Sequence, residues 1–209
     1  AVEAAGLTQI HIAETEKFAH VSYFFNAGRN NPLAHEDFLH IPSDPPEKFI
    51  SHPQMQASQI TQHILVDLAR HGHDFILANF ANPDMIGHTG NFAATVKAIE
   101  TVDNCVGQIA TSILSLNGFR FLTSDHGNCE QKVDPTTHLP SKDHTINPVP
   151  FVAAKSSLVA PSPTSRITQG SQVTGILQDV PPTILGILSL PIPPQMLGKN
   201  LFAALPAAS

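Results

Sequence analysis

An α/β fold, a layered sandwich around a largely parallel sheet, is what this sequence predicts, and two observations carry the prediction. Short apolar runs that read as buried strands alternate along the chain with amphipathic stretches of helical period. Loops rich in aspartate and histidine follow directly on several of these runs, and open α/β sheets bind ligands beyond the carboxyl ends of their strands. The 209 residues suffice for one domain with a sizeable core, or for part of a larger one.

The elements follow in order. Leu7–Ile12 alternates apolar and polar residues and reads as a strand. Phe18, Val21, Phe24 and Phe25 then recur at helical spacing, with Thr15 as N-cap and Lys17 near the helix start. A cation there opposes the helix dipole, a local misfit that suits a functional lysine. Gly28–Pro53 reads as an irregular surface excursion, with proline gathered in Ile41–Pro53. Gln59–Ala69 forms an amphipathic helix closed at Gly72, and Asp74–Phe80 is the next strand. Asn82-Pro83 offers an N-cap and a proline for one helical turn. Phe92, Val96, Ile99, Val102, Val106, Ile109, Ile113 and Leu116 mark a long helix ending at Asn117-Gly118. Phe119–Thr123 and Val149–Ala154 are strands, separated by the connector Gln131–Lys142. A last helix lies within Val173–Leu190, with Asp179 as its N-cap and prolines in its first turn.

Composition narrows the function. Eleven basic against seventeen acidic residues leave a net charge of −6, which argues against nucleic acid or an anionic membrane and for a small-molecule partner. Cys105 and Cys129 are too few for a disulfide framework and point to a reducing, cytoplasmic setting. No apolar run approaches membrane-spanning length. Of the twelve histidines, His35, His40, His52, His63, His71 and His73 sit among polar or turn residues and read as surface positions.

Three loops carry the candidate chemistry: Asp84 with His88, Asp125 with His126, and Asp143 with His144. One helical turn places Asp84 and His88 on the same face. Gly87 and Gly90 keep that loop free of bulk. Taken singly, each loop is equally well a capping aspartate beside a surface histidine. Together they crowd carboxylates that would repel one another without a cation, and paired divalent ions are the usual remedy in phosphoryl-transfer sites.

Five stretches then resemble one family: His11–Gly28 (HIAETEKFAHVSYFFNAG), Asn79–Gly90 (NFANPDMIGHTG), Thr123–Glu130 (TSDHGNCE), His144–Val152 (HTINPVPFV) and Leu177–Phe202. Their order and spacing are similar to the C-terminal part of cofactor-independent phosphoglycerate mutases, members of the alkaline phosphatase-like superfamily. The resemblance implies an alkaline phosphatase-like fold, with residues 1–209 forming the C-terminal part of the metal-binding domain. It implies Asp84, His88 and His144 as ligands of one manganese ion, and Asp125 and His126 as two ligands of a second. Lys17 matches the lysine that contacts the phosphoryl group, and Asp143 becomes a solvated neighbour. Magnesium or zinc could replace manganese, and no 2,3-bisphosphoglycerate is expected. The implied reaction interconverts 3- and 2-phosphoglycerate through a phosphoserine, in a cytoplasmic, monomeric parent enzyme of glycolysis and gluconeogenesis.

The resemblance places the nucleophilic serine, a further metal-binding aspartate and an inserted substrate domain outside the matched stretches. The expectation is therefore that no residue here is the nucleophile and that this chain alone lacks mutase activity. Phe38 stands where the family carries arginine, Phe49–Ala57 lacks an expected tyrosine-aspartate pair, and Cys129 replaces a small residue as a packed side chain. Two alternatives stay open: another metal-dependent phosphatase or phosphopentomutase of the superfamily, and a non-catalytic domain stapled by its metal.

Overall fold

The strand that organises the sheet is Gln9–Glu14 (β1), five of whose six residues are buried. That density of burial suits a central parallel strand covered on both faces. In the computed structural model, which describes residues 1–156, 173 and 175–202, β1 lies between Glu36–Ile41 (β2) and Phe75–Asn79 (β3). Both neighbours run parallel to it, in the order β2-β1-β3. The α/β class and the parallel sheet are as predicted. Strand β1 runs two residues further than Leu7–Ile12, so its carboxyl end falls at Glu14.

Because side chains alternate across a strand, the sheet has two different faces. One carries Ile10, Ile12, Leu39, Ile41, Ile76 and Ala78, and packs against Ile60, Ile64 and Leu68 of Ala57–Arg70 (α2) and Ile109 and Ile113 of Phe92–Ser115 (α4). Ile60 is fully buried there, and truncating it to alanine would cost about 2–5 kcal/mol. On the other face His11 packs against Phe25, Phe38 and Phe75. A second cluster joins Phe49, Met55, Ala81, Ile86, Ala94 and Ala98 around Asn82–Gly87 (α3) and the start of α4.

Strand β2 corrects the reading of Gly28–Pro53 as an irregular excursion. Its charged ends, Glu36 and His40 within EDFLHI, hide the strand period, yet Glu36 and Ile41 are both buried. Phe49 and Met55 beyond it are core residues as well. Phe38, the departure from the family's arginine, fills the layer by stacking on His11 and meeting Phe18 edge-on.

The caps also differ in detail. Thr15 is the first residue of Thr15–Ala19 (α1), and its hydroxyl bonds His40 and Ser43 instead of capping. Asn82 lies inside α3 and donates from Nδ2 to the carbonyls of Pro53 and Gln54, which anchors the start of that helix. Asn91 does cap α4, accepting from the Ala94 amide. Helix α2 ends with His71, at φ 50°, as its left-handed cap, one residue before Gly72.

Arg120–Thr123 (β4) and Phe151–Ala154 (β5) form a separate antiparallel pair, a departure from the largely parallel expectation. These elements all belong to one unit, Leu7–Val159. A smaller unit combines Ala1–Gly6 with Ala160–Ser209. Its described part holds Val180–Ile187 (α5), preceded by Asp179 at the N-cap position as predicted. The Asp179 carboxylate accepts from the amides of Ile176 and Lys199 and not from the helix itself. Among the described residues no helix is long and apolar enough to cross a membrane.

Candidate metal centre

Strand ends deliver the site residues. Beyond β1 the chain turns into α1 and buries Lys17. Beyond β3 it turns into α3, whose first turn holds Asp84. A carboxylate there is favoured by the exposed amides of a helix start. His88 follows one turn later, and the segments after β4 and before β5 bring His126 and His144.

Asp84 is the hub. Its Oδ2 accepts from Lys17 Nζ at 2.6 Å, and its Oδ1 accepts from Asn128 Nδ2 at 2.9 Å. His88 Nε2 and His144 Nε2 each lie 3.0 Å from Oδ1 and 3.0 Å from one another. His126 Nε2 stands 4.0 Å from the same oxygen, and its ring stacks on His144 at 3.6 Å between centroids. Asp125 is more exposed, with Oδ1 3.5 Å from His126 Nε2. All six sequence-predicted site residues thus fall into one connected constellation, whereas Asp143 is exposed. Burial pushes the Asp84 carboxyl upward, but hydrogen bonds from Lys17 and Asn128, with the charges of Lys17 and His88, hold it well below the usual carboxylate range.

The donor set fits a divalent cation. His88 Nδ1 donates to the Lys142 carbonyl at 2.6 Å, so a neutral His88 turns only the lone pair of Nε2 towards Asp84. That lone pair, the carboxylate oxygen and the His144 nitrogen meet at spacings suited to ligand atoms about 2.1 Å from a shared ion. A second arrangement, Asp84 with His126 and His144, also brings one ligand atom from each residue within 4.8 Å.

Sequence reasoning missed Asn128 and Lys132. The carboxamide stands two residues beyond His126, which is the signal that marks it, whereas Lys132 lies in the polar connector Gln131–Lys142 with no motif around it.

A family model for the Metalloenzyme superfamily matches residues 1–192. The chain belongs to this superfamily. It is 44% identical over 199 residues to a 2,3-bisphosphoglycerate-independent phosphoglycerate mutase of Thermomicrobium roseum, covering 95% of this chain and 37% of that protein. The mutase of the same description from a Cyanothece species is 42% identical over 204 residues, covering 98% of this chain and 38% of the relative. The crystal structure of Leishmania mexicana phosphoglycerate mutase at low cobalt concentration superposes with a TM-score of 0.80 at 29% identity, over 95% of this chain and 38% of that one. The chain therefore spans little more than a third of the length of these relatives. The superfamily and the likeness to the mutases agree with the resemblance seen in the motifs.

Proposed function

We propose that this chain is the metal-binding portion of a phosphoglycerate mutase that interconverts 3- and 2-phosphoglycerate without 2,3-bisphosphoglycerate. The observation that carries this reading is the meeting of His88 Nε2, His144 Nε2 and Asp84 Oδ1 at 3.0 Å from one another, beside the ammonium of Lys17. Asp84, His88 and His144 would hold one ion, with His126 and Asp125 contributing to a second, and manganese is the proposed metal. Bound there, such ions supply Lewis-acid stabilisation to a transferring phosphoryl group. Likeness to cobalt-crystallised and 2,3-bisphosphoglycerate-independent relatives supports this reading. The proposed parent is a cytoplasmic monomer.

The protein's own groups do the positioning. His88 is oriented by the Lys142 carbonyl, so its Nε2 faces the centre. Lys17 carries three donors, one of which engages Asp84 Oδ2. The buried ammonium can therefore offset charge on phosphoryl oxygens while its stem stays packed, which is where such transfers gain most of their stabilisation.

The test is paramagnetic broadening of the 31P resonance of 3-phosphoglycerate by the Mn2+-loaded chain. Broadening that is lost in Asp84→Ala and reduced in Lys17→Met is expected. A line width equal to that produced by Asp84→Ala would overturn the reading.

A further inference from the structure

Lys132 is only 7% exposed, and its ammonium serves no purpose yet described. Nζ donates to the Gly87 carbonyl at 3.1 Å and, closely, to Asn128 Oδ1, and both acceptors are neutral. Burying a charge against neutral oxygens is unfavourable unless the hydrogen bonds it makes are well placed. What those bonds hold is the Asn128 side chain, itself buried, whose Nδ2 donates to Asp84 Oδ1 at 2.9 Å. The orientation of that carboxamide is unambiguous, because a lysine only donates and an ionised carboxylate only accepts. Gly87 supports the same arrangement, since a Cβ at that position would collide with the Asn128 carboxamide.

We propose that Lys132 is a positioning residue for the metal centre, acting through Asn128 to hold Asp84 Oδ1 towards His88 and His144. The inference rests on the reading of Asp84, His88 and His144 as ligands. The relay Lys132–Asn128–Asp84 ties the segment after β4 to α3, so the ligand from one loop is aimed by a charge from another. The Lys132 bond to the Gly87 carbonyl pins the same helix one residue before His88. One buried cation thereby sets the direction of the carboxylate and the placement of its neighbouring imidazole. Partners of this kind, one bond removed from the ion, typically change metal affinity by 10–100-fold when removed.

The test is Co2+ titration of the 209-residue chain, read by calorimetry and by the visible absorption of the bound ion. Lys132→Met, apolar and of similar length, is expected to weaken Co2+ binding roughly 10-fold and to shift the absorption band. In an Asn128→Ala background the same substitution is expected to cost clearly less than in the wild type, because the relay is already cut and only the Gly87 bond remains to be lost. Lys132→Gln keeps an N–H donor and is expected to restore most of the affinity. Lys132→Leu carries the comparison should the methionine variant not fold. Wild-type affinity and absorption in the apolar variant, or losses that add in the double variant, overturn the inference. A wild-type chain that takes up no Co2+ overturns the ligand reading itself, a result distinguishable from failure of the relay.

Discussion

At the amino ends of the parallel strands, His73 lies between two carboxylates, with Nδ1 2.6 Å from Asp67 Oδ1 and Nε2 3.2 Å from Asp37 Oδ2. At the carboxyl ends, three imidazoles gather round the carboxylate of Asp84, with the more exposed Asp125 beside His126. The residue types are the same and the stoichiometry is inverted. One ring between two acids has both of its nitrogens engaged by carboxylates. Several ring nitrogens gathered on one acid bring together ligand atoms that an external cation would share. The ratio of acids to imidazoles, more than their proximity, separates the cluster at His73 from the proposed ligand site at Asp84.

The largest effect that would break this contrast concerns metal uptake. Asp84→Ala is expected to weaken Mn2+ or Co2+ binding at least about 100-fold, whereas His73→Ala should leave it unchanged. Equal losses in calorimetry would show that the two clusters are not different in kind. Next comes stability without metal. In EDTA, His73→Ala is expected to lose about 1–2 kcal/mol in urea unfolding, since it leaves the largely buried Asp67 carboxylate without its partner. An unchanged midpoint would show that the pair adds no stability.

A smaller effect separates a further imidazole, that of His11, from both clusters. Burial lowers the pKa of His11 from the ordinary 6.5, outweighing the opposite pulls of Glu36 and the Val21 carbonyl. As pH falls through about 6.5, the unfolded chain takes up a proton that the folded chain resists, so His11 makes stability decline on acidification until the buried ring also titrates. The fall in urea midpoint between pH 7.5 and 5.5 should be shallower in His11→Phe than in the wild type. Identical slopes would assign the pH dependence elsewhere. The smallest effect is expected at Cys129. Burial pushes its thiol up to about 11, and Sγ donates to the Pro83 carbonyl at 2.9 Å. A thiol held protonated is a poor ligand, so Cys129→Ala should leave Co2+ affinity within about twofold.

The legible part of the fold was the part with a clean period. The long apolar series of α4 and the run before β3 declared themselves, and so did Asp84 and His88, because one helical turn brings residues four apart together. Strand β2 did not, because Glu36 is buried through hydrogen bonds from Asn26 and the Leu33 amide, which no hydropathy pattern conveys. His73 read as a surface residue for the same reason: its partners Asp67 and Asp37 are supplied by the end of α2 and the start of β2. Lys132 escaped because a lysine in a polar connector looks solvated until its loop is folded back onto α3.

The hub role of Asp84 has a kinetic consequence. Its partners Lys17, Asn128 and His144 lie 67, 44 and 60 residues away along the chain. Closing loops of that length is an entropic cost met only when the intervening strands and helices have docked. A refolding chain would therefore acquire its affinity for a divalent ion abruptly and late, when the last of these loops is closed. Ion capture would act as a clock that strikes once, at the completion of the topology, and its delay after mixing would measure how long the chain takes to find it.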